Sequence, residues 1–366
     1  MSGTWGECLE LSIFGESHGP GVGIVVNGLP AGIELDLDLI NMEMGRRMPG
    51  KTSLATPRQE KDKYELVGGY FNSKTTGSPL CCMIWNQDQR SLDYEDIKGI
   101  VRPSHADFTA RWKHAGFNDY RGGGHFSGRL TAPLVFAGAI AKQLLAKKGI
   151  VIGSHILSIG EVQEEPFDLR DVDFELLKEL TEKEFPVIIE DKAGEMKDRI
   201  LEAKKDEDSV GGVIEVGVAN LPIGLGSPFF DSAESKIAHL LFSIPAVKGV
   251  EFGAGFHITK MKGSEANDGF ILEDNQVRTT SNNNGGILGG ITNGMPLVFR
   301  AAFKPTPSIG KVQRTVDVDK MEEVEISIKG RHDPCIVPRA VPVVEAAAAL
   351  ALLDLMIEKD GTGWMS

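Results

Sequence analysis

The sequence predicts an α/β (α+β) protein that folds as a single large domain over residues 1–366. The chain has 366 residues, 41% of them hydrophobic, which is enough to bury a large core in one large domain or in two smaller ones. Short apolar segments typical of strands are mixed with longer Ala- and Leu-rich segments typical of helices. Residues 21–35 and 211–226 also share an apolar strand, then Leu-Pro, then Gly. This match is short enough to arise by coincidence; if it is real, it indicates two related halves packed as one unit.

The N-terminal part is predicted to contain mainly strands joined by Gly- and Pro-rich turns. Residues 8–14 and 22–27 alternate like the two strands of a hairpin, with the loop GESHG between them. That loop is either an ordinary Gly-rich turn or a compact set of acid-base groups around His18. We further predict a turn at residues 75–79, strands at 64–70 and 80–85, and helices at 37–47 and 93–100.

The segment richest in candidate binding and catalytic residues is 102–131, with the sequence RPSHADFTARWKHAGFNDYRGGGHFSGRLT. The segment holds three of the eight His and a Gly-Gly-Gly run but lacks a helical or strand-like apolar period, so we expect irregular backbone. The Gly run can bring main-chain N–H groups close to an anion, and Ser127 occupies the N-cap position of the apolar helix that follows. The segment is therefore either a phosphate cradle or a flexible Gly-rich turn.

The remainder of the chain alternates core helices, surface helices and strands. Apolar helices are predicted at residues 130–148 and 341–359, and the second contains Glu345 and Asp354, which favours a core position over a membrane span. The Gly/Asn-rich residues 278–294 cannot be regular throughout, and KPTPS after them is a Pro-stiffened segment with a cation and two hydroxyls. We also predict helices at 168–184, 195–205 and 231–244, and strands at 151–159, 249–256 and 297–303.

Composition and charge exclude several classes of protein. A formal net charge of -13 argues against a nucleic-acid binder. The absence of a secretory leader and of an uninterrupted apolar run of roughly 20 residues predicts a soluble protein with no membrane partner. The four Cys form no CxxC pair, which fits reduced thiols in the cytoplasm, and no HExxH or His-rich spacing indicates a metal. P-loop and Rossmann patterns are absent, and GESHG lacks the following helix of a nucleophile elbow.

Several loops end in groups suited to binding a small polyanion. Arg46 and Arg47 either cap a helix or form an anion clamp with Lys51 and Arg58. Loops ending at His18, at His105, at Ser127 with Arg129, and at Arg331 with Asp333 can converge. We assign structural positions to the remaining loop and helix histidines, His114, His155, His239 and His257.

Three strings of the sequence carry a resemblance to a known family. GESHGPGVGIVVNGLP, GGHFSGRLTAPLVFAGA and RHDPCIVPRAVPVVEAA resemble the three signature segments of the chorismate synthases. Supporting matches lie between them: RRMPG, DQRSLDY, RPSHADFT, DYRGGG, AVKGVEFG, SNNNGGILGGITNG and KPTPS. The resemblance covers essentially the whole chain.

The resemblance implies an enzyme, a carbon–oxygen lyase of the shikimate pathway for aromatic amino acids. Enzymes of this family convert 5-enolpyruvylshikimate 3-phosphate into chorismate and phosphate by a 1,4-elimination. They need reduced FMN although the reaction has no net redox change, because the reduced flavin divides a hard elimination into easier steps. The resemblance also implies a sandwich of helices between antiparallel sheets and a homotetramer.

Matching by position assigns roles to individual residues. His18 would donate a proton toward the leaving phosphate, His105 would protonate or hold the reduced flavin, and Asp333 would assist proton removal. Binding of the substrate or NADP would fall to Arg46, Arg47 and Arg129, with Arg331. The implied FMN-binding positions are Ser17, His125, Phe126, Ser127, Pro245, Ala246, Gly289, Lys304, Pro305, Thr306, Pro307, Ser308 and Arg331.

Departures from the family pattern shape the expected cofactor use. His125 and Phe126 stand where Arg-Ser is common, which removes a cation and a hydroxyl beside the flavin. Met48 and Ser53 stand at positions that are basic in the family, so we expect NADPH to act only indirectly, through an external flavin reductase. The alternative functions are a non-catalytic flavin-binding or redox-sensing protein on the same fold, and a flavin-free phosphohydrolase.

Overall fold

The computed structural model of the chain describes residues 3–49, 54, 60–87, 98–328 and 333–365. In this part, the helices are α1 (Leu37–Arg47), α2 (Asp107–Lys113), α3 (Thr131–Ala146), α4 (Phe174–Glu182), α5 (Glu190–Lys205), α6 (Ala233–Ser243), α7 (Gly263–Ala266) and α8 (Val337–Asp360). The strands are β1 (Thr4–Trp5), β2 (Glu10–Gly15), β3 (Gly21–Asn27), β4 (Ala31–Glu34), β5 (Tyr64–Gly68), β6 (Tyr70–Phe71), β7 (Lys74–Thr76), β8 (Leu80–Trp85), β9 (Ile100–Val101), β10 (Val151–Ile159), β11 (Val162–Gln163), β12 (Gly212–Ala219), β13 (Val247–Phe252), β14 (Phe270–Glu273), β15 (Gln276–Thr279), β16 (Ile287–Leu288), β17 (Ile291–Thr292), β18 (Leu297–Phe303), β19 (Gln313–Asp317) and β20 (Glu322–Ile326).

Two five-stranded antiparallel sheets form the outer layers. Sheet 1 has the order β1-β2-β3-β8-β5, and sheet 2 has the order β11-β10-β12-β18-β13. The central strand of sheet 1 pairs Ile24 with Ile13 on one side and with Cys82 on the other. Alternate apolar residues of β8 in sheet 1 are buried, whereas β10 and β12 of sheet 2 are buried along most of their length, which fits a sheet covered on both faces. The remaining strands form small ribbons at the edges of the molecule.

The helices α3 and α8 lie side by side between the two sheets. Helix α3 packs on β3 of sheet 1, and α8 packs on β10 and β12 of sheet 2. Their backbones approach closely at Gly138, where a Cβ atom would lie 2.2 Å from the Cβ of Ala346. Helix α4 covers the opposite face of sheet 2, where Leu177 and Val298 belong to a smaller second core. The expected sandwich of helices between antiparallel sheets is confirmed.

The two halves of the chain repeat one order of elements. The first half runs β2, β3, α1, β5, β8, α3, and the second runs β10, β12, α6, β13, β18, α8. In each sheet the four core strands take the same spatial order, β2-β3-β8-β5 and β10-β12-β18-β13. The two similar sequence segments begin at β3 and β12, which are the central strands of the two sheets. The short sequence match therefore marks a structural repeat.

Helix α8 is a long, largely buried apolar helix. Its 24 residues are long and apolar enough to cross a membrane, yet the whole of its apolar window is buried inside the fold. Glu345 and Asp354 lie on this helix and are also buried, each bonded to a cation or to main-chain N–H groups from other elements. The helix is therefore packed as a core helix, as its interior carboxylates predicted.

Several boundaries differ from the sequence expectations. The segment 102–131 is not irregular throughout, because it contains the short helix α2, whose apolar Phe108 and Trp112 stack on the surface instead of marking a buried face. The expected turn at residues 75–79 overlaps β7, and the first surface helix begins only at Phe174, where Asp173 caps it. Most of the helix expected at residues 93–100 lies outside the described residues.

Candidate functional site

A cavity of ≈ 820 Å³ lies where equivalent ends of the two halves meet. Its walls include Arg47 at the end of α1 and Ser243 at the end of α6, together with Thr131 and Arg339 from the first turns of α3 and α8. Two helix N-termini thus face one cavity. Because the N-terminus of a helix carries a partial positive charge, this arrangement favours an anionic ligand.

Most of the site residues expected from the sequence line this cavity. They come from loops far apart in the chain, which the repeat of the fold brings together. The lining includes Arg47, His105, His125, Phe126, Ser127, Arg129, Pro245, Ala246, Lys304, Thr306, Pro307 and Asp333. Ser17 and Ser308 are hydrogen-bonded to the lining residues Gly122 and His105, and the ring of His18 lies beside Gly122.

The Gly run forms a fixed seat for His18. Gly122 and Gly124 have φ values of 59° and 53°, and a Cβ at Gly122 would lie 2.1 Å from the His18 ring. Ser17 Oγ donates to the carbonyl of Gly122 at 3.0 Å and lies 3.1 Å from His18 Nδ1. The main-chain N–H of Ser17 donates to the carbonyl of Gly124 at 3.1 Å. The Gly run therefore has a defined backbone conformation. Gly is required at position 122 because the imidazole of His18 occupies the space that a side chain there would need.

His105 is held between the two halves. Its Nε2 lies 2.9 Å from Ser308 Oγ of the KPTPS segment, and Lys304 of that segment donates from Nζ to the carbonyl of Ser104 at 2.8 Å. Burial lowers the pKa of Lys304, and the charge of Lys248 lowers it further. The Pro-stiffened segment expected to form a ligand wall does line the cavity, and it fixes the loop that carries His105.

A buried carboxylate joins the two cations Arg47 and Arg129. Asp62 Oδ2 accepts from Arg47 Nη1 at 2.6 Å, and Asp62 Oδ1 accepts from Arg129 Nη1. Arg129 Nε donates to Asn86 Oδ1 at 2.9 Å. Among the residues that the structure describes, Arg129 Nη2 is buried without a hydrogen-bond partner. A buried donor left unpaired is costly, so this nitrogen marks where an oxygen of a ligand fits.

The charges of this group are set by opposing effects. Burial opposes ionisation of Asp62, but the guanidinium groups of Arg47 and Arg129 outweigh it and lower the pKa of the carboxyl. Burial lowers the pKa of Arg47 to about 10, although Asp62 favours its charged form. Both groups stay ionised near neutral pH, so the cavity keeps a fixed ionic wall.

Asp333 is bound by a cation that the sequence analysis did not select. Arg339, two residues into α8, donates from Nη1 to Asp333 Oδ2 at 2.6 Å and from Nε to the carbonyl of Arg47 at 3.3 Å. Helix α8 therefore positions the carboxylate at the cavity wall. The first turn of a helix after a candidate acid is a signal that could have drawn attention to Arg339.

Other expected ligands lie elsewhere. Arg46 does not line the cavity, because its guanidinium is bonded to buried Glu345 at 2.5 and 2.9 Å and to Glu43 at 2.9 Å. Burial opposes ionisation of Glu345, but Arg46 and Lys142 lower its pKa to about 2. Gly289 lies in the turn between β16 and β17, and Pro305 is exposed beside the lining residues. Arg331, Lys51 and Arg58 lie outside the described residues.

Several further residues that line the cavity were not predicted as site residues. Glu60 is buried at the wall, 3.9 Å from Arg129 Nη2, and His239, which was assigned a structural position, lines the cavity from α6. Trp5 lines it from the edge strand β1, and Arg339 from α8. Glu60, His239 and Trp5 stand in no unusual local pattern, so no sequence signal singled them out; only Arg339, in the first turn of the helix after Asp333, had such a signal.

Comparison with known proteins gives a consistent assignment. A sequence model of the family described as chorismate synthase matches residues 9–357. The chain belongs to the chorismate synthase family. Chorismate synthases of Dehalococcoides mccartyi and Thermococcus gammatolerans are 46% and 48% identical to it, over 98% and 97% of this chain and 97% of each relative. A crystal structure of chorismate synthase superposes with a TM-score of 0.76 at 32% identity, covering 98% of this chain and 94% of that one.

Membership confirms the family resemblance and the fold expected from it. Chorismate synthases are lyases of chorismate and aromatic amino-acid biosynthesis, so the chain is an enzyme by family and acts on a small molecule. The comparisons do not favour a flavin-binding protein without catalysis on this fold. The cavity is lined by residues of the second and third signature segments, one from each half of the chain.

Proposed function

We propose that the chain converts 5-enolpyruvylshikimate 3-phosphate into chorismate and phosphate, as a carbon–oxygen lyase that uses reduced FMN. The observation that carries this proposal is the buried Nη2 of Arg129, which has no hydrogen-bond partner among the described residues and lies at the wall of a cavity that also holds His105 and Asp333. A hydrogen-bond donor for an oxyanion and candidate acid-base groups thus share one cavity. An elimination of phosphate needs both.

The anionic groups of the substrate would bind at the ionic wall. Arg129 Nη2 is buried and has no hydrogen-bond partner among the described residues, and the N-termini of α3 and α8 face the same space. Guanidinium groups match phosphate and carboxylate oxygens in geometry as well as in charge. We keep Arg46, Arg47 and Arg331 as proposed ligands of substrate or NADP, although the cation of Arg46 is bonded to buried carboxylates.

A second set of lining residues, mainly from the second half of the chain, fits a flavin. Ser127, Pro245, Ala246 and Pro307 give a largely apolar surface, and Thr306 Oγ1 is buried without a hydrogen-bond partner in the described part of the chain. A flavin ring carries carbonyl and N–H groups along an apolar body, so an unpaired hydroxyl in such a wall suits it. We propose that the FMN-binding positions are Ser17, His125, Phe126, Ser127, Pro245, Ala246, Gly289, Lys304, Pro305, Thr306, Pro307, Ser308 and Arg331.

The reduced flavin supplies electron density and a proton-accepting nitrogen to the elimination. The protein's own residues handle the remaining protons. His18, seated on the Gly run, would donate a proton toward the leaving phosphate, and His105 would be kept in place by Ser308 while it protonates or holds the cofactor. Asp333, held by Arg339, would assist removal of the substrate proton.

Further properties of the protein belong to the same proposal. We propose one catalytic domain over residues 1–366, a homotetramer and a location in the cytoplasm. We also propose that an external flavin reductase supplies electrons and that NADPH acts only through it, since Met48 and Ser53 are not basic.

Phosphate release and chorismate formation test the proposed function together. The purified chain would be mixed with 5-enolpyruvylshikimate 3-phosphate and FMN, with and without dithionite, under anaerobic conditions. We expect equal amounts of phosphate and chorismate, and only in the reduced sample. Phosphate without chorismate and without reductant would instead indicate a phosphohydrolase. A protein that binds FMN but releases no phosphate would indicate a non-catalytic flavoprotein.

A further inference from the structure

Asp62 occupies the centre of the ionic wall, yet it carries no assigned role. Its side chain is completely buried, and each carboxylate oxygen accepts from a different guanidinium, Oδ1 from Arg129 and Oδ2 from Arg47. It lies in the short segment that leads into β5, far in sequence from both partners. One carboxylate therefore fixes the separation of two cations.

The hydrogen bonds of Arg47 hold Asp62 in place. Its Nε donates to Thr131 Oγ1 at 3.0 Å, and its Nη2 donates to the carbonyl of Gly128 at 3.0 Å. Each of its three guanidinium nitrogens thus has a bond to the protein. Arg47 anchors the carboxylate of Asp62 to the first turn of α3.

The bonds of Arg129 show what this anchoring achieves. Nη1 is bound by Asp62 and Nε by Asn86, whereas Nη2 has no hydrogen-bond partner in the described part of the chain. Glu60 Oε2 lies 3.9 Å from Nη2, close enough for an ion pair but beyond hydrogen-bond distance. Holding two nitrogens of a rigid planar fork fixes the direction of the third.

We propose that Asp62 is a positioning residue for the substrate: it holds Arg129 so that Nη2 is ready for an anionic oxygen before the substrate arrives. This inference rests on the proposed function. A pre-oriented donor avoids the cost of ordering a long side chain during binding, and a small displacement of such a group impairs catalysis strongly. Asp62 acts through Arg129 and need not touch the substrate.

The substitution Asp62→Asn tests this role, because it keeps the size of the side chain and removes the charge that both guanidinium groups contact. Asn has nearly the same size, and it tolerates the left-handed backbone of this position, where φ is 44°. We expect kcat/KM to fall by roughly 10- to 100-fold, as for loss of a hydrogen bond to a charged group. Calorimetric titration should show weaker substrate binding. The control Asp360→Asn, at the exposed end of α8, should match the wild type in both measurements.

A double-mutant cycle separates positioning from general destabilisation. If Asp62 acts through Arg129, then Asp62→Asn should lower kcat/KM much less in an Arg129→Lys background than in the wild type. Equal effects in both backgrounds would overturn the inference. Wild-type kinetics of Asp62→Asn would overturn it as well. If the wild type itself forms no chorismate, the proposed function has failed instead.

A second variant covers the case in which Asp62→Asn does not fold. Asp62→Glu keeps the negative charge for both buried cations but extends the carboxylate by one methylene. We expect this variant to fold, to bind the substrate more weakly and to show the same non-additivity with Arg129→Lys. Unchanged substrate affinity of Asp62→Glu, measured by titration, would contradict the positioning role.

Discussion

The two halves of the chain share one order of strands and helices but present different chemistry to the cavity. The first half supplies buried cations, Arg47 and Arg129, with exposures of 3% and 5%. The second half supplies a largely apolar wall, and its charged groups Lys304, Asp333 and Arg339 are only half-buried. A repeated scaffold therefore does not dictate a symmetric site. The loops before and after equivalent helices determine the chemistry of each wall.

The largest expected effect concerns His105, where the two halves meet. His105→Ala should lower kcat by roughly 10² to 10⁴-fold, the usual contribution of a general acid-base group. Steady-state kinetics with reduced FMN would measure it, with circular dichroism to confirm folding. Ser308→Ala, which removes the second-half partner of the ring, should have a smaller effect. Normal turnover of His105→Ala would show that this imidazole has no part in the chemistry.

The next effect tests the ionic wall of the first half. Arg129→Lys keeps the charge but loses the planar fork, so we expect kcat/KM to fall by roughly 10- to 100-fold. Glu182→Lys, an exposed charge reversal at the end of α4, should change little because surface charges are screened at about 8 Å at physiological salt. If the two variants behave alike, the substrate does not use Arg129.

A smaller effect should be confined to the wall of the second half. Thr306→Val removes the buried hydroxyl and keeps the shape, and we expect FMN affinity to fall by roughly 2- to 10-fold, as for one neutral hydrogen bond. The KM of the substrate should not change. Titration of flavin fluorescence measures the first quantity. A variant that loses substrate affinity instead would show that the two walls do not divide the ligands.

The smallest expected effect is a pH dependence of the unfolding free energy that arises in sheet 2 only. In sheet 2, buried His155 lies between Glu164 and Glu215, whereas the central row of sheet 1 contains Ile13, Ile24 and Cys82. Burial opposes protonation of His155, but hydrogen bonds to the two carboxylates outweigh it and raise its pKa.

A raised pKa in the folded state means that protonation of His155 stabilises the fold. This stabilisation is complete below the unfolded value of about 6.5 and is lost as pH rises through the folded value. We expect the gap in unfolding free energy between the wild type and His155→Gln to narrow from pH 6 to pH 9 in urea titrations. A constant gap would mean that the charge of His155 does not contribute.

The sequence allowed prediction of the fold and of a set of residues most of which line the cavity, for identifiable reasons. Helix α1 and strands β10 and β18 have the expected bounds, because their apolar period and their terminating residues agree. Pairing across long separations could not be predicted in the same way. Arg46 was expected to meet a ligand, but it meets Glu345, 299 residues away. Asp62 went unnoticed because nothing in its local pattern indicates two arginine partners.

The close contact of Gly138 with Ala346 affects the cooperativity of thermal unfolding. Helices α3 and α8 pack so closely that no methyl group fits between them at Gly138. If one half of the chain unfolded, the other half would therefore expose the apolar residues that the two halves share in one core. Calorimetry should therefore show one cooperative transition in place of two successive ones. A fragment ending before β10 should remain aggregated or partly ordered, because half of this repeated architecture has no interior of its own.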